Sequence, residues 1–243
     1  MLVRDRPAGG IAVYMTRRSA ASAFMPDAYV FPGGAADPGD GAPEILARLH
    51  PDDRAGDGGR RPAALVEPRL VVTALRELFE EAGILLAAAP DGSPRTLPPE
   101  VLAAERAALL RGDRRLSELL AANDAFLDGR ELVYYSNWIT PAAEPRRFDA
   151  HFFVAREPEG QTAAADAIEV HDGLWVAPEE ALERGRNNEL TLVFPTIKHL
   201  ERLAEASSVD GLLRSARSRD VRPVEPDALP GGVFAIPPER EPW

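Results

Sequence analysis

The sequence predicts an α/β or α+β fold, and three observations carry that expectation. Short apolar runs with β-branched and aromatic members recur along the chain, amphipathic helical segments interleave with them, and no internal repeat is present. A chain of 243 residues is long enough to bury a single core. With 28% charged and 45% hydrophobic residues it has ordinary globular composition, which excludes fibrous and wholly disordered classes.

The elements follow in order. Gly10–Thr16 reads as a buried strand, and Tyr29–Phe31 as a second short run stopped by Pro32-Gly33-Gly34. Residues 35–67 shift to Asp, Gly, Pro and Arg and read as an insertion, with room for a short helix over Glu44–His50. Pro68–Ala82 is the clearest helix. Pro68 suits the first helical position and Gly83 a left-handed C′ position. Its apolar stripe is Leu70, Val71, Ala74, Leu75, Leu78, Phe79 and Ala82. Arg69, Thr73, Arg76, Glu77 and Glu80 form the opposite stripe, with Glu81 at its margin. A turn-rich connector covers Ala87–Leu97. Pro99–Leu110 and Leu116–Phe126 read as two helices within a helical insertion over 95–128. Leu132–Thr140, Phe148–Ala155 and Gly173–Val176 read as strands, and Pro178–Arg184 and Phe194–Ser207 as helices. From 207 to 243 the chain reads as a C-terminal extension that becomes a Pro-rich, extended tail.

Several function classes are excluded by composition. Cysteine is absent, so there is no disulfide scaffold, thiolate metal site or thiol nucleophile. Lys198 is the sole lysine, which removes a Gly-Lys-Ser/Thr phosphate loop. A net charge of −11 argues against nucleic acid or an anionic membrane surface as a partner. No apolar run reaches about 18 residues, so no membrane span is expected. Met1–Gly10 carries Arg4 and Arg6 without an apolar region, so no signal peptide is expected and a cytoplasmic location is the default. His50, His151, His171 and His199 follow no ligand spacing, and no Gly-x-Ser-x-Gly elbow or His-x-x-x-His pair occurs.

The informative segment is Arg76-Glu77-Leu78-Phe79-Glu80-Glu81-Ala82-Gly83-Ile84. Glu77 stands at i, i+3 and i+4 from Glu80 and Glu81, so it neighbours both on the helix surface. Each like-charged pair opposes the helix by roughly 0.2–0.5 kcal/mol. All three occupy the last turns, where the helix dipole disfavours negative charge. A divalent cation reverses that sign, because hard oxygen donors suit magnesium, calcium or manganese. The alternative is an acidic face in contact with water.

This string resembles the second half of the Nudix box, Arg-Glu-apolar-x-Glu-Glu-x-Gly-apolar, at every specified position. The first half, a glycine followed six residues later by an acid, resembles Gly34 and Asp40, with Asp in place of the usual Glu. Residues 41–75 then stand where seven residues are usual, so the box is interrupted by a 28-residue insertion in a stretch where a longer loop costs little closure entropy. An interrupted box of this kind resembles the peroxisomal-type coenzyme A diphosphatase branch. The resemblance implies an α/β/α sandwich around a mixed sheet, with extra helices. It implies metal-dependent hydrolysis with Mg2+ or Mn2+ as cofactor. Glu77, Glu80 and Glu81 would be metal ligands, Arg76 would orient the carboxylates, for instance through Asp40, and Gly34 would supply a carbonyl or a close backbone approach. Glu77 and Arg76 are thereby the principal catalytic candidates. The cation also explains how an acidic protein can hold an anionic substrate.

Thr16-Arg17-Arg18-Ser19, separated from Phe31 by the 11 residues 20–30, partly resembles a coenzyme A signature found upstream of the box. Arg17 or Arg18 could hold a phosphate through bidentate hydrogen bonds. Without a ligand, they would be a basic strand end in water. Arg146 and Phe148 share one strand face and are candidates for phosphate contact and adenine stacking, alongside Trp138 and Tyr135. Surface ion pairing of the arginines with Asp149 or Glu144 and core packing of the aromatics are the plain alternatives. The family often adds a carboxylate from a distant loop. Among Glu157, Glu159, Asp166, Glu169 and Asp172, Glu169 is the candidate base because a strand follows it directly.

The expected function is therefore cleavage of the diphosphate bond of coenzyme A or acyl-coenzyme A, a small-molecule nucleoside diphosphate derivative. The alternatives are an ADP-ribose, ADP-sugar or dinucleotide diphosphatase, and a non-catalytic nucleotide-sensing Nudix domain. A homodimer or partner surface on the insertions is compatible with either.

Overall fold

The computed structural model describes residues 1–20, 25–51, 66–165, 170–229 and 233–238. A mixed sheet of eight strands runs through it in the order β10-β6-β7-β1-β2-β3-β9, with β8 added on β2. Strands β1 (Leu2–Asp5), β2 (Ile11–Arg18) and β3 (Ala28–Val30) come first; β6 (Val133–Ile139), β7 (Asp149–Arg156) and β8 (Val170–Val176) follow the helical insertion. The edges are β9 (Thr191–Leu192) and β10 (Pro223–Val224).

Strand β2 organises the sheet. Ile11 to Thr16 are all buried, as expected of a strand covered on both faces. Alternation sends Val3, Val13, Met15, Val154 and Val176 toward α5 (Pro178–Arg186), α6 (Phe194–Leu203) and α7 (Val209–Arg217). Leu2, Tyr14, Phe153 and Ala155 point the other way, toward α1 (Pro43–Leu46), α2 (Pro68–Ala82), α3 (Pro99–Leu110) and α4 (Leu116–Ala122). Two cores on one sheet make the α/β/α sandwich. Full burial of each Leu, Val or Phe here contributes roughly 1.5–3 kcal/mol before chain entropy is charged against it.

The sheet also forks. β8 pairs with Val13–Arg18 of β2, so β1 (at Ile11–Val13) and β3 (at Thr16–Arg17) share the opposite edge end to end. β7 joins β1 only at Leu2↔Ala155 and Val3↔Arg156, and its earlier residues pair with β6 alone among the described strands. The chain leaving β3 enters this fork.

Several elements differ from expectation. The helix expected over Leu116–Phe126 stops at Ala122, and Phe126–Leu127 (β5) instead pairs with Ala87–Ala88 (β4), inside the expected connector. β1 escaped notice because four residues give too little alternation to read. The C-terminal extension is not only a tail. Ser208 caps α7 by accepting from the Gly211 N–H, and α7 buries Val209, Leu212, Leu213 and Ala216 in the second core. β10 then extends the sheet, and β11 (Asp227–Leu229) forms a hairpin with β12 (Val233–Ala235).

Candidate active site

Helix α2 forms as its signals require. Pro68 opens it, and Gly83 (φ 72°) closes it by donating its N–H to the Phe79 carbonyl at 2.9 Å. Part of its polar stripe is removed from water, while Arg69 at the start of the helix stays exposed and Arg76 and Glu80 are partly buried. Thr73, Glu77 and Glu81 are buried, the two glutamates only 7% and 8% exposed, which removes the solvated-face alternative. The segment Phe31–Asp40 covers them.

Several contacts hold that segment to α2. The Gly33 N–H donates to Glu81 Oε2 (2.9 Å). Gly34 lies so close to Glu77 that a Cβ built on it would stand 2.5 Å from Oε1 and 2.7 Å from Oε2. Asp40, in a 3₁₀ turn over Pro38–Gly41 capped by Asp37, is 3% exposed. Both of its oxygens face the Arg76 fork, Nε to Oδ1 at 2.7 Å and Nη2 to Oδ2 at 2.9 Å. Oδ2 also accepts from the Asp37 N–H (2.9 Å) and the Thr73 hydroxyl (2.8 Å). The insertion thus leaves from a point that is locked back onto α2, so the box closes in space although it is interrupted in sequence.

Arg76 is the hub. Its Nη1 donates to Glu77 Oε1 (2.8 Å) and Glu80 Oε2 (2.7 Å), and its Nη2 reaches the Ala35 carbonyl (3.2 Å). Burial alone would raise the Asp40 carboxyl, but Arg76, the Asp37 N–H and Thr73 outweigh it and hold the group below the usual carboxylate value. Burial likewise opposes the charge on Arg76, and its hydrogen bond to Asp40 with the charges of Glu77 and Glu80 drives its pKa the other way, upward.

All donors at this site are hard oxygens, the chemistry magnesium and manganese prefer. The side-chain-free Gly34 against Glu77 leaves a cradle that a methyl group would fill. Among the described residues, however, no three acidic or imidazole groups already converge as a metal cage. In this arrangement Arg76 Nη1 donates to both Glu77 and Glu80. A carboxylate offers about four lone-pair positions, so this bond orients each group without exhausting it. The residues fit a hard divalent cation. Gly34→Ala should force the buried Glu77 carboxylate off its position, costing about 1–3 kcal/mol by overpacking. The expected outcome is a loss of turnover of roughly tenfold or more with a cooperative melt retained; normal kinetics would show that Gly34 has no need to be glycine.

The other candidates scatter. Glu169 and Asp166 lie outside the described residues. Arg17 and Arg18 fall on opposite faces of β2: Arg17 pairs with Asp27 (2.7 Å), whereas Arg18 shares the face of Tyr14 and Thr16, which is the α2 side. Arg146 lies 5.2 Å over the exposed Phe148 ring at the β6–β7 hairpin. Alternation places Phe148 with Ala150 and Phe152, on the face away from α2, so it is not brought to the glutamates. Arg147 pairs with Glu225 (3.4 Å) rather than with Asp149 or Glu144. Trp138 and Tyr135 are core residues around His199, which is fully buried; burial pushes the His199 pKa down to about 3.

One group was missed in the sequence. On the α2 face of β6 and β7 the apolar Tyr134 and Phe153 give way to Asn137, His151 and Asp149. Tyr134 Oη lies 2.8 Å from His151 Nδ1, His151 Nε2 lies 3.4 Å from Asp149, and Asn137 Nδ2 donates to Asp149 Oδ1 at 2.5 Å. This polar end of the sheet borders the fork. Phe152, next to His151, and Phe31, two residues before Gly33, both pack on the His199 ring at 4.2 and 5.9 Å. Only strand pairing brings these four side chains together, and each alone looks like an ordinary surface residue.

Comparison with known proteins agrees with this geometry. The model of the NUDT19 Nudix domain matches residues 4–203. Acyl-coenzyme A diphosphatase NUDT19 of Gallus gallus is 33% identical over 91% of this chain and 70% of its own length, and that of Homo sapiens 30% identical over 91% and 68%. A crystal structure of a Nudix hydrolase from Alicyclobacillus acidocaldarius superposes with a TM-score of 0.75 at 31% identity, covering 90% of this chain and 93% of that one.

Proposed function

The chain belongs to the Nudix hydrolase superfamily, related to the NUDT19-like acyl-coenzyme A diphosphatase branch, and from that membership we propose that it hydrolyses the diphosphate of coenzyme A or acyl-coenzyme A. As a Nudix-type hydrolase it acts on diphosphate-containing substrates; the choice of coenzyme A is the proposal. The observation that carries the chemistry is the pair of buried glutamates, Glu77 and Glu81, held under Gly33 and Gly34 by backbone and by the Arg76–Asp40 lock. Glu77, Glu81 and Glu80 would hold Mg2+ or Mn2+, which supplies charge neutralisation of the diphosphate and activation of water when bound. Arg76 keeps the carboxylates aimed, and Asp40 keeps Arg76 in place. Water adds across one P–O–P bond, giving 3′-phosphoadenosine 5′-phosphate and a 4′-phosphopantetheine species.

The coenzyme A reading rests on the names of the relatives and on Thr16-Arg17-Arg18-Ser19. Strand alternation puts Arg18 on the α2 side of β2 and Arg17, paired with Asp27, on the other, so Arg18 is the arginine on the side of the glutamates. The test is a panel of coenzyme A, acyl-coenzyme A, ADP-ribose and a dinucleotide with Mg2+ or Mn2+, products identified by mass. Turnover of the coenzyme A species at the highest kcat/KM is expected. Good turnover of ADP-ribose with none of coenzyme A would reject the assignment and favour the ADP-ribose alternative.

A further inference from the structure

Helix α2 ends in crowded carboxylates and has no basic residue in its last turn, the end where the dipole favours a cation. The cation arrives from elsewhere in the chain. Arg106, on α3 of the helical insertion, donates from Nε (2.9 Å) and Nη2 (2.7 Å) to the Glu80 carbonyl, one of the four carbonyls a helix leaves unpaired at its end. Its guanidinium also lies over Gly83, where a Cβ would stand 3.0 Å from Nη1 and 3.5 Å from Cζ. Gly83 is therefore needed for its left-handed φ and again for the room that Arg106 occupies. Two bonds to one carbonyl fix the backbone at Glu80, from which the Glu80 and Glu81 side chains project.

We infer that Arg106 is a positioning residue for the carboxylate turn, through which the helical insertion governs cation binding by the interrupted box. This rests on the reading that these glutamates hold a divalent cation. A charge alone and a positional grip have opposite consequences. Were Arg106 only a positive charge, its removal would make the site more negative and tighten cation binding. As a grip on the backbone, its removal loosens the turn and weakens binding. Lysine keeps the charge but lacks the planar fork.

The test is Mn2+ titration of the full chain followed by the electron paramagnetic resonance of free Mn2+, for wild type, Arg106→Gln and Arg106→Lys. Melting temperatures and kcat and KM on a diphosphate substrate accompany it. Both variants are expected to weaken Mn2+ binding about tenfold, the lower end for residues that orient metal ligands. They should lower kcat more than they raise KM, and Lys should rescue neither. Tighter Mn2+ binding in Arg106→Gln with Arg106→Lys at the wild-type level would overturn the inference in favour of a charge effect. Unchanged Mn2+ binding in both variants with only a lower melting temperature would overturn it in favour of a simple helix cap. Should Arg106→Gln fail to fold, Arg106→Lys decides alone. Absence of Mn2+ binding by the wild type would reject the cation reading itself, and this inference with it.

Discussion

Glu77→Gln and Glu81→Gln are each expected to lower kcat by at least about 100-fold, a loss of roughly 2.7 kcal/mol of transition-state stabilisation, while the chain remains folded. Both side chains are buried against backbone that accepts almost no rearrangement, Glu77 under Gly34 and Glu81 on the Gly33 N–H. Glutamine preserves volume and an oxygen acceptor, so the packing of α2 survives. What it removes is the negative charge, and with it the affinity for a hard cation. Kinetics, Mn2+ titration and a circular-dichroism melt on the same samples separate these effects. A variant that binds nucleotide as wild type but shows no loss of turnover would reject the catalytic assignment. A wild type with no turnover of any diphosphate would instead favour a sensor.

Arg76→Met is expected to be the most destabilising single change at the site, by about 3–5 kcal/mol at pH 7, because it leaves a buried carboxylate without its cation. Asp40 is 3% exposed and both its oxygens are held by Arg76. In the wild type the Asp40 pKa is depressed below its ordinary value, 3.8. Its contribution to stability is therefore complete above that value and is lost as pH falls through the folded-state pKa. In Arg76→Met only the Asp37 N–H and the Thr73 hydroxyl still oppose burial, so the Asp40 pKa moves upward from its depressed value and the group takes up a proton at higher pH than in the wild type. The variant's deficit should shrink as pH falls from 7 toward 4.5 and Asp40 takes up a proton. Urea unfolding at the two pH values measures this. A deficit below about 1 kcal/mol, or one that does not change with pH, would show that the Arg76–Asp40 lock is not what holds the Phe31–Asp40 segment down.

Much of the site was legible because its signals are local. The bounds of α2 follow from Pro68 and Gly83, and the i, i+3, i+4 spacing alone puts Glu77, Glu80 and Glu81 on one surface. Gly34 and Asp40 were legible as the separated half of a resemblance. Arg106 was not: its partner, the Glu80 carbonyl, is a backbone atom 26 residues away and leaves no trace in residue type. Asn137, Asp149 and His151 were missed for a related reason, since each gains meaning only from the register of β6 on β7. Phe148 was a candidate for adenine stacking, and strand alternation, which the structure fixes, puts it on the face turned from α2.

By itself, then, the sequence determined the helix, the crowding of acids at its end, and the kind of ion that crowding tolerates, because spacing along a helix fixes neighbours within one turn. Only the tertiary structure decided that Glu77 and Glu81 are buried rather than solvated, that Asp40 finds Arg76 across the insertion, and that a second helix holds the turn through Arg106. Those contacts join segments far apart in the chain, and their geometry is set by how two cores pack on the two faces of one sheet.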